Sequence, residues 1–297
     1  MASSTPFQAT AQAQPTAPKP DQKPSHPPTQ ILPSQFARVY ALVHPGLLLS
    51  LVAYRFQPVV ENPVGELLGN IPFLVGLQAI FVMGCLPPAG TGVKSLGEKE
   101  KEGGGGGSKT RRRGHGHGQA GKSAGSGFFA AGLVLFAWKL TPALLSLTLT
   151  ILLATPVLSL LLVLFGAPLT THHALTFLCG AHIALLSAFP LIYVHGVDGA
   201  LWKEIWGAAR PMDAPWGGAL GTVVGAWLGA IPIPLDWDRP WQAYPITILT
   251  GAYIGFCVGV LGGRVTGVFG KRVEFTDALD EQSEQGQESE QADVKDE

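Results

Sequence analysis

GAWLGAIPIPLDWDRPW, residues 225–241, is the stretch from which the architecture unfolds. It opens as an apolar helix with Gly225 and Gly229 four residues apart, a spacing that puts both on one helix face. Pro232 and Pro234 then end the helix, and Pro240 follows, because proline fixes φ and has no N–H to donate. Asp236, Trp237, Asp238 and Arg239 crowd charge beside an indole, and Trp241 closes the stretch. Tryptophan suits a membrane–water interface, where an amphipathic ring sits at headgroup level. The whole reads as a spanning helix running into a rigid interfacial turn.

On either side of the turn the glycines continue in register. Gly217, Gly221, Gly225 and Gly229 precede it, and Gly251, Gly255, Gly259 and Gly263 follow it. Glycine lets backbones approach closely, which drives helix association in lipid, where no hydrophobic effect operates between helices. The two helices flanking the turn are therefore expected to pack. A sharper version, in which one stripe receives a helix from another protein, stays open.

The rest of the chain fits a bilayer. Of 297 residues, 46% are hydrophobic and 14% charged, where a soluble domain carries about 25% charged residues. The mean hydropathy is +0.26. The net charge of −1 averages unlike segments and says little. A spanning helix needs about 20 predominantly apolar residues. Six stretches qualify: residues 36–56, 64–86, 140–165, 174–194, 217–234 and 244–261. Residues 128–138 read either as an extension of the third or as a separate interfacial helix. The fold class is thus an all-α polytopic membrane protein with about six transmembrane helices.

The expected organisation is a disordered arm over 1–33, helices one and two over 34–86, and a disordered Gly/Lys/Arg-rich loop over 87–127. Helices three to six follow over 128–263, including the turn at 231–241, and an acidic disordered tail occupies 264–297. With six spans both termini share one side. That side holds 18 of the 20 Lys and Arg residues, leaving Arg55 and Arg239 opposite. The positive-inside rule makes this side cytoplasmic and the turn at 231–241 lumenal.

Several apparent motifs fail on context. GHGQAGKS, residues 116–123, matches G-x-x-x-x-G-K-S/T. A phosphate loop, however, needs a strand before it and a helix after it, and here the flanks are Gly-rich and basic. His172, His173, His182 and His195 lack converging acids or thiolates for a metal. Asp236-Trp237-Asp238 resembles the DxD pattern of metal–nucleotide binding, which is weak on its own. Cys85, Cys179 and Cys257 lie in apolar stretches without CxxC spacing. No catalytic, cofactor or metal residues are assigned, and nothing points to nucleic acid. The turn reads as a structural cap or as a contact for a partner or lipid headgroup.

Residues 225–241, with Tyr244-Pro245-Ile246 after them, closely resemble the signature of the PIG-F family of glycosylphosphatidylinositol (GPI) anchor assembly. A weaker match is FGAPL, residues 165–169, containing Gly166 and Pro168. The resemblance spans residues 165–261; the first two helices agree in hydropathy alone. It implies a non-catalytic, multi-pass subunit of the endoplasmic reticulum membrane. Such a subunit binds and stabilises large ethanolamine-phosphate transferases, PIG-O-like and PIG-G-like, that act on mannoses of the GPI precursor. Membrane lipids and the precursor are further implied contacts. Pro232, Pro234, Asp236, Trp237, Asp238, Arg239, Pro240, Trp241, Gly166 and Pro168 are then the candidate contact residues. Asp236 and Arg239 would lock the cap. Two alternatives are an integral-membrane transferase using Asp236 and Asp238 with a divalent metal, and a lipid transporter with His182 lining a path. Few predicted lumenal acids and histidines exist to build a two-metal site.

Overall fold

A computed structural model describes residues 27–91, 124–235, 238–265 and 267–271. Among these the regular elements are all helical: α1 (Gln35–Glu61), α2 (Pro63–Cys85), α3 (Ala124–Leu149), α4 (Thr155–Leu164), α5 (His173–His195), α6 (Gly199–Trp206), α7 (Ala214–Ala230) and α8 (Ile246–Gly262).

Local chemistry sets the boundaries. The Ser34 hydroxyl accepts a hydrogen bond from the Ala37 N–H at 3.1 Å and starts α1. Asn62 alone makes the reversal into α2. Its N–H bonds back to the Pro58 carbonyl at 2.9 Å, and its side chain accepts from the Gly65 N–H at 3.3 Å. Pro63 then sits in the first turn of α2, where a missing N–H is harmless.

Helices α3 and α4 form one rod interrupted by a π turn at Thr150–Ala154. Pro156 accounts for the interruption, since it cannot donate to the carbonyl four residues back. The Thr155 N–H reaches the Thr150 carbonyl instead, and the Thr155 hydroxyl donates to the same oxygen at 3.0 Å. Residues 128–138 run inside α3, continuous with the candidate spanning segment that begins at Ala137.

Helix α5 is the axis of the bundle. Its most apolar window is 89% buried, against 11% for the rod that contains α4. Leu152, Leu160 and Leu164 on that rod are 72%, 61% and 75% exposed. Such a face is stable when its solvent is lipid. Among the described residues, five helices are long and apolar enough to cross a membrane. Helix α8, a predominantly apolar helix of 17 residues, spans roughly 26 Å at 1.5 Å per residue, within reach of a bilayer core.

The bundle has two distinct ends. At the cap end lie the α1–α2 reversal, the corner after α4 and the turn between α7 and α8. At the opposite end the flanking segments are tied in. The Leu32 N–H bonds to the Cys85 carbonyl and the Ala89 N–H to the Tyr193 carbonyl, both at 2.9 Å. Gly270 donates to the Met212 carbonyl and Met212 to the Lys271 carbonyl, both at 2.8 Å. Residues 27–33 and Gly270–Lys271, expected as parts of a disordered arm and tail, are thus held against the helices by backbone hydrogen bonds. Asp198 caps α6 through the Ala200 N–H at 2.9 Å, and that helix lays Ile205 and Trp202 against Leu191, Trp216 and Ala219.

Candidate functional site

The α7–α8 hairpin carries the site. Its helices are antiparallel, and each step of four along α7 meets a step of four back along α8. A Cβ added to Gly217, Gly221 or Gly225 would strike the carbonyl oxygen of Gly259, Gly255 or Gly251 respectively, and the reverse holds for each partner. On Gly225 it would also lie 2.9 Å from the Gly255 Cα. Gly229 faces Thr247 and Ile248, and Gly263 faces the Asp213 carbonyl. At such separation the two backbones touch with no side chains between them, a geometry that recurring Cα–H···O contacts support. The two stripes pack on each other, and the same glycines also line the groove beside the seam.

Because glycines narrow this seam, a groove of about 760 Å³ runs beside it. The glycines of both stripes line it together with Leu220, Val224 and Leu228 from α7 and Ile254 and Val258 from α8, with Pro232 and Trp241 at the cap end.

The turn itself contains two short 3₁₀ segments, Ile233–Leu235 and Pro240–Gln242. Asp236 and Trp237 lie outside the described residues. Asp238 has φ +51°, a left-handed conformation that aspartate tolerates better than most residues. Asp238, Arg239 and Pro240 are exposed. The side chain that ties the described parts together is Gln242. Its Nε2 donates to the Pro232 carbonyl at 2.7 Å and its Oε1 accepts from the Arg239 N–H at 3.2 Å. Sequence reading did not single it out, since glutamine after tryptophan carries no motif.

The corner at 165–169 is a Schellman cap. The Gly166 N–H bonds to the Val163 carbonyl and the Ala167 N–H to the Leu162 carbonyl, both at 2.9 Å. Gly166 takes φ +99° there, and Pro168 prevents the helix from resuming. This corner is hydrogen-bonded to the distant hairpin. Tyr244 donates to the Thr176 hydroxyl at 3.2 Å, and Thr176 donates to the Pro168 carbonyl at 2.8 Å. The two stretches that carry the family resemblance, far apart in the chain, therefore meet at one end of the bundle.

Beneath the cap the interior is polar at selected points. The His182 Nε2–H donates to the Leu67 carbonyl at 3.0 Å, so Nδ1 accepts from the Tyr253 hydroxyl at 2.8 Å. His44 stacks on Phe81 with ring centroids 4.5 Å apart. Arg55 pairs with Glu66 at 2.6 Å and lies over the Phe73 ring. His172 and His173 stand exposed at the start of α5. Among the described residues no three His, Cys, Asp or Glu side chains come together. What the geometry offers is surface: a rigid cap, an apolar groove and an exposed outer face on α7.

The profile described as GPI biosynthesis protein family Pig-F matches residues 43–264, from within α1 to just past α8. The chain belongs to the PIG-F family. Glycosylphosphatidylinositol anchor biosynthesis protein 11 of Aspergillus fumigatus is 61% identical over 283 residues, covering 92% of this chain and 94% of that one. The protein of the same name from Neurospora crassa is 41% identical, covering 80% and 79%. A human protein named GPI ethanolamine phosphate transferase, stabilizing subunit, is 36% identical over 104 residues, covering 33% of this chain and 47% of its own. No solved structure matches the chain.

A second knot, at the opposite end, was missed by sequence reading; its Arg210 and Asp213 lie within the PIG-F match and its Thr29 before it. Asp213 caps α7, its Oδ1 accepting from the Trp216 N–H at 2.9 Å. Its Oδ2 accepts from the Thr29 N–H at 2.9 Å and pairs with Arg210 at 3.4 Å. Both charged side chains are at most 2% exposed. An Arg-x-x-Asp spacing just before a Pro-started helix was the available signal, though it identifies a cap and not a buried ion pair.

Proposed function

We propose that this PIG-F chain is a non-catalytic, multi-pass subunit of the endoplasmic reticulum membrane. It binds and stabilises ethanolamine-phosphate transferases, PIG-O-like and PIG-G-like, that modify mannoses of the GPI precursor. The cap end faces the lumen. Distribution of charge in the fold supports this orientation: Arg38, Lys139, Lys203, Arg210, Arg264 and Lys271 cluster at the opposite end, and Arg55 and Arg239 stand at the cap end.

The observation that carries the reading is the α7–α8 hairpin, rigid through its glycine seam and bare on its outer face. Val223 and Trp227, on the side of α7 turned away from α8, are 51% and 67% exposed. A large exposed aromatic on a preorganised helix is the type of residue that anchors interfaces. The name of the human relative, a stabilizing subunit, supports the same role.

Mild-detergent affinity purification of the intact chain, with mass spectrometry of what accompanies it, tests this. A large transferase is expected in stoichiometric amount. Trp227→Ala with Val223→Ala should reduce its recovery while the chain itself stays folded, and Gly225→Leu or Gly229→Leu should lower transferase abundance in cells. Purification of the chain alone, or transferase levels unchanged in all these variants, would sink the proposal.

A further inference from the structure

Helix α6 crosses nothing. Its eight residues make a rod of about 12 Å, and it lies alongside the bundle at the end opposite the cap. Ile205 and Trp202 pack on Leu191, a turn before the end of α5, and on Ala219, a turn into α7. The Trp202 indole N–H donates to the Gly196 carbonyl at 2.9 Å and holds that face inward. The helical period then turns Lys203 and Trp206 outward together. Lys203 is exposed, and Trp206 is 76% exposed.

A second indole stands at the same end. Trp138 is 68% exposed, and the neighbouring Lys139 donates to the Met83 carbonyl at 2.8 Å, in the last turn of α2. Charge at this end is lopsided. With the buried Arg210–Asp213 pair set aside, the described residues place Arg38, Lys139, Lys203, Arg264 and Lys271 there against Asp198 and Glu204. Among the described residues neither Lys203 nor Lys271 is in an ion pair. Lys271 belongs to the same neighbourhood, since its carbonyl accepts from the Met212 N–H at 2.8 Å and Met212 packs on the α6 cluster. The described cap end, with Arg55 and Arg239 against Glu61, Glu66 and Asp238, has no cationic excess.

We infer that α6 is an in-plane interfacial helix that docks this end of the bundle on an anionic lipid surface. The Trp206 ring sits at the boundary of headgroups and acyl chains, with its apolar body toward the chains and its N–H toward the heads. Lys203 lays its methylene stem along the same boundary and sets its ammonium among the lipid phosphates. Lys271 adds to the attraction from the side of Met212, and each such cation favours an anionic leaflet over a neutral one. An acidic soluble partner would match the lysines but leave Trp206 and Val197, the latter also 76% exposed, against polar groups. The inference stands apart from the transferase reading.

The test uses the purified full chain in vesicles of dioleoylphosphatidylcholine with dioleoylphosphatidylserine. The three native thiols are buried, so Trp206→Cys is the position that takes a spin label. That label should meet dissolved oxygen more often than a water-soluble nickel chelate. It should lie shallower than a label at Leu160→Cys, on the exposed face of α4. Predominant nickel contact would place α6 in water, and shielding from both reagents would place it against protein; either overturns the inference. Native mass spectrometry of the chain from an equimolar mixture of the two lipids then reads selectivity. Lys203→Gln should lower the ratio of retained phosphatidylserine to phosphatidylcholine about fivefold, and Lys203→Arg should keep it. A ratio unmoved by Lys203→Gln, or lowered equally by Lys203→Arg, sinks the anionic surface.

Discussion

At the residue scale, glycines that look alike in the sequence have opposite roles. Gly225 has no room for a methyl group against the Gly251 carbonyl, whereas Gly76, inside α2, has nothing within 4 Å of an added Cβ. Gly225→Ala should therefore destabilise the fold by about 1–3 kcal/mol through overpacking. Gly76→Ala should stabilise it by roughly 0.5–1 kcal/mol through helix propensity. Thermal unfolding in detergent reads both, and a neutral Gly225→Ala would mean the seam is looser than described. The His182–Tyr253 pair gives a second prediction. Tyr253→Phe leaves the His182 Nδ1 acceptor buried without a donor, at a cost of about 1–3 kcal/mol. In a double-mutant cycle with His182→Phe, the two changes together should cost clearly less than their sum.

At the scale of elements, the corner after α4 depends on one dihedral. Gly166 at φ +99° cannot take a side chain without strain, so Gly166→Ala should cost about 1–2 kcal/mol. The Thr176–Tyr244 link hands that disturbance to the start of α8. Limited proteolysis should therefore show faster cleavage at the corner in Gly166→Ala, together with faster cleavage at the turn between α7 and α8. Cleavage confined to the corner would show that the two elements move independently.

At the scale of the whole molecule, the Arg210–Asp213 knot joins the N-terminal segment to the hairpin. Asp213→Ala removes a helix cap, the acceptor for Thr29 and the counter-ion of a buried guanidinium together. Breaking such a pair by one partner costs about 3–5 kcal/mol, because the other charge is left buried. Replacing both, as Arg210→Met with Asp213→Leu, should recover part of that loss. Hydrogen exchange at the Thr29 and Leu32 amides in Asp213→Ala should rise toward that of a free segment; protection equal to wild type would mean the knot does not hold the N-terminal segment.

The class of the fold was legible in the sequence, because lipid demands unbroken apolar helices of a set length and leaves little freedom beyond that. The glycine stripes and the Pro–Trp turn were legible for the same reason, as their periodicity and chemistry are local. The described part of the cap also depends on Gln242, which no local pattern marks, and the sequence alone could not choose between a stripe that packs inward and one that receives a partner. Tertiary structure decided the antiparallel register of α7 and α8, the bridge from Tyr244 through Thr176 to Pro168, the partners of His182 and the tie from Thr29 to Asp213. Each of these joins side chains or backbone groups far apart in the chain, up to 184 positions for Thr29 and Asp213. Their pairing is set by how six helices share one interior, and periodicity along a single helix carries no information about which neighbour it will meet.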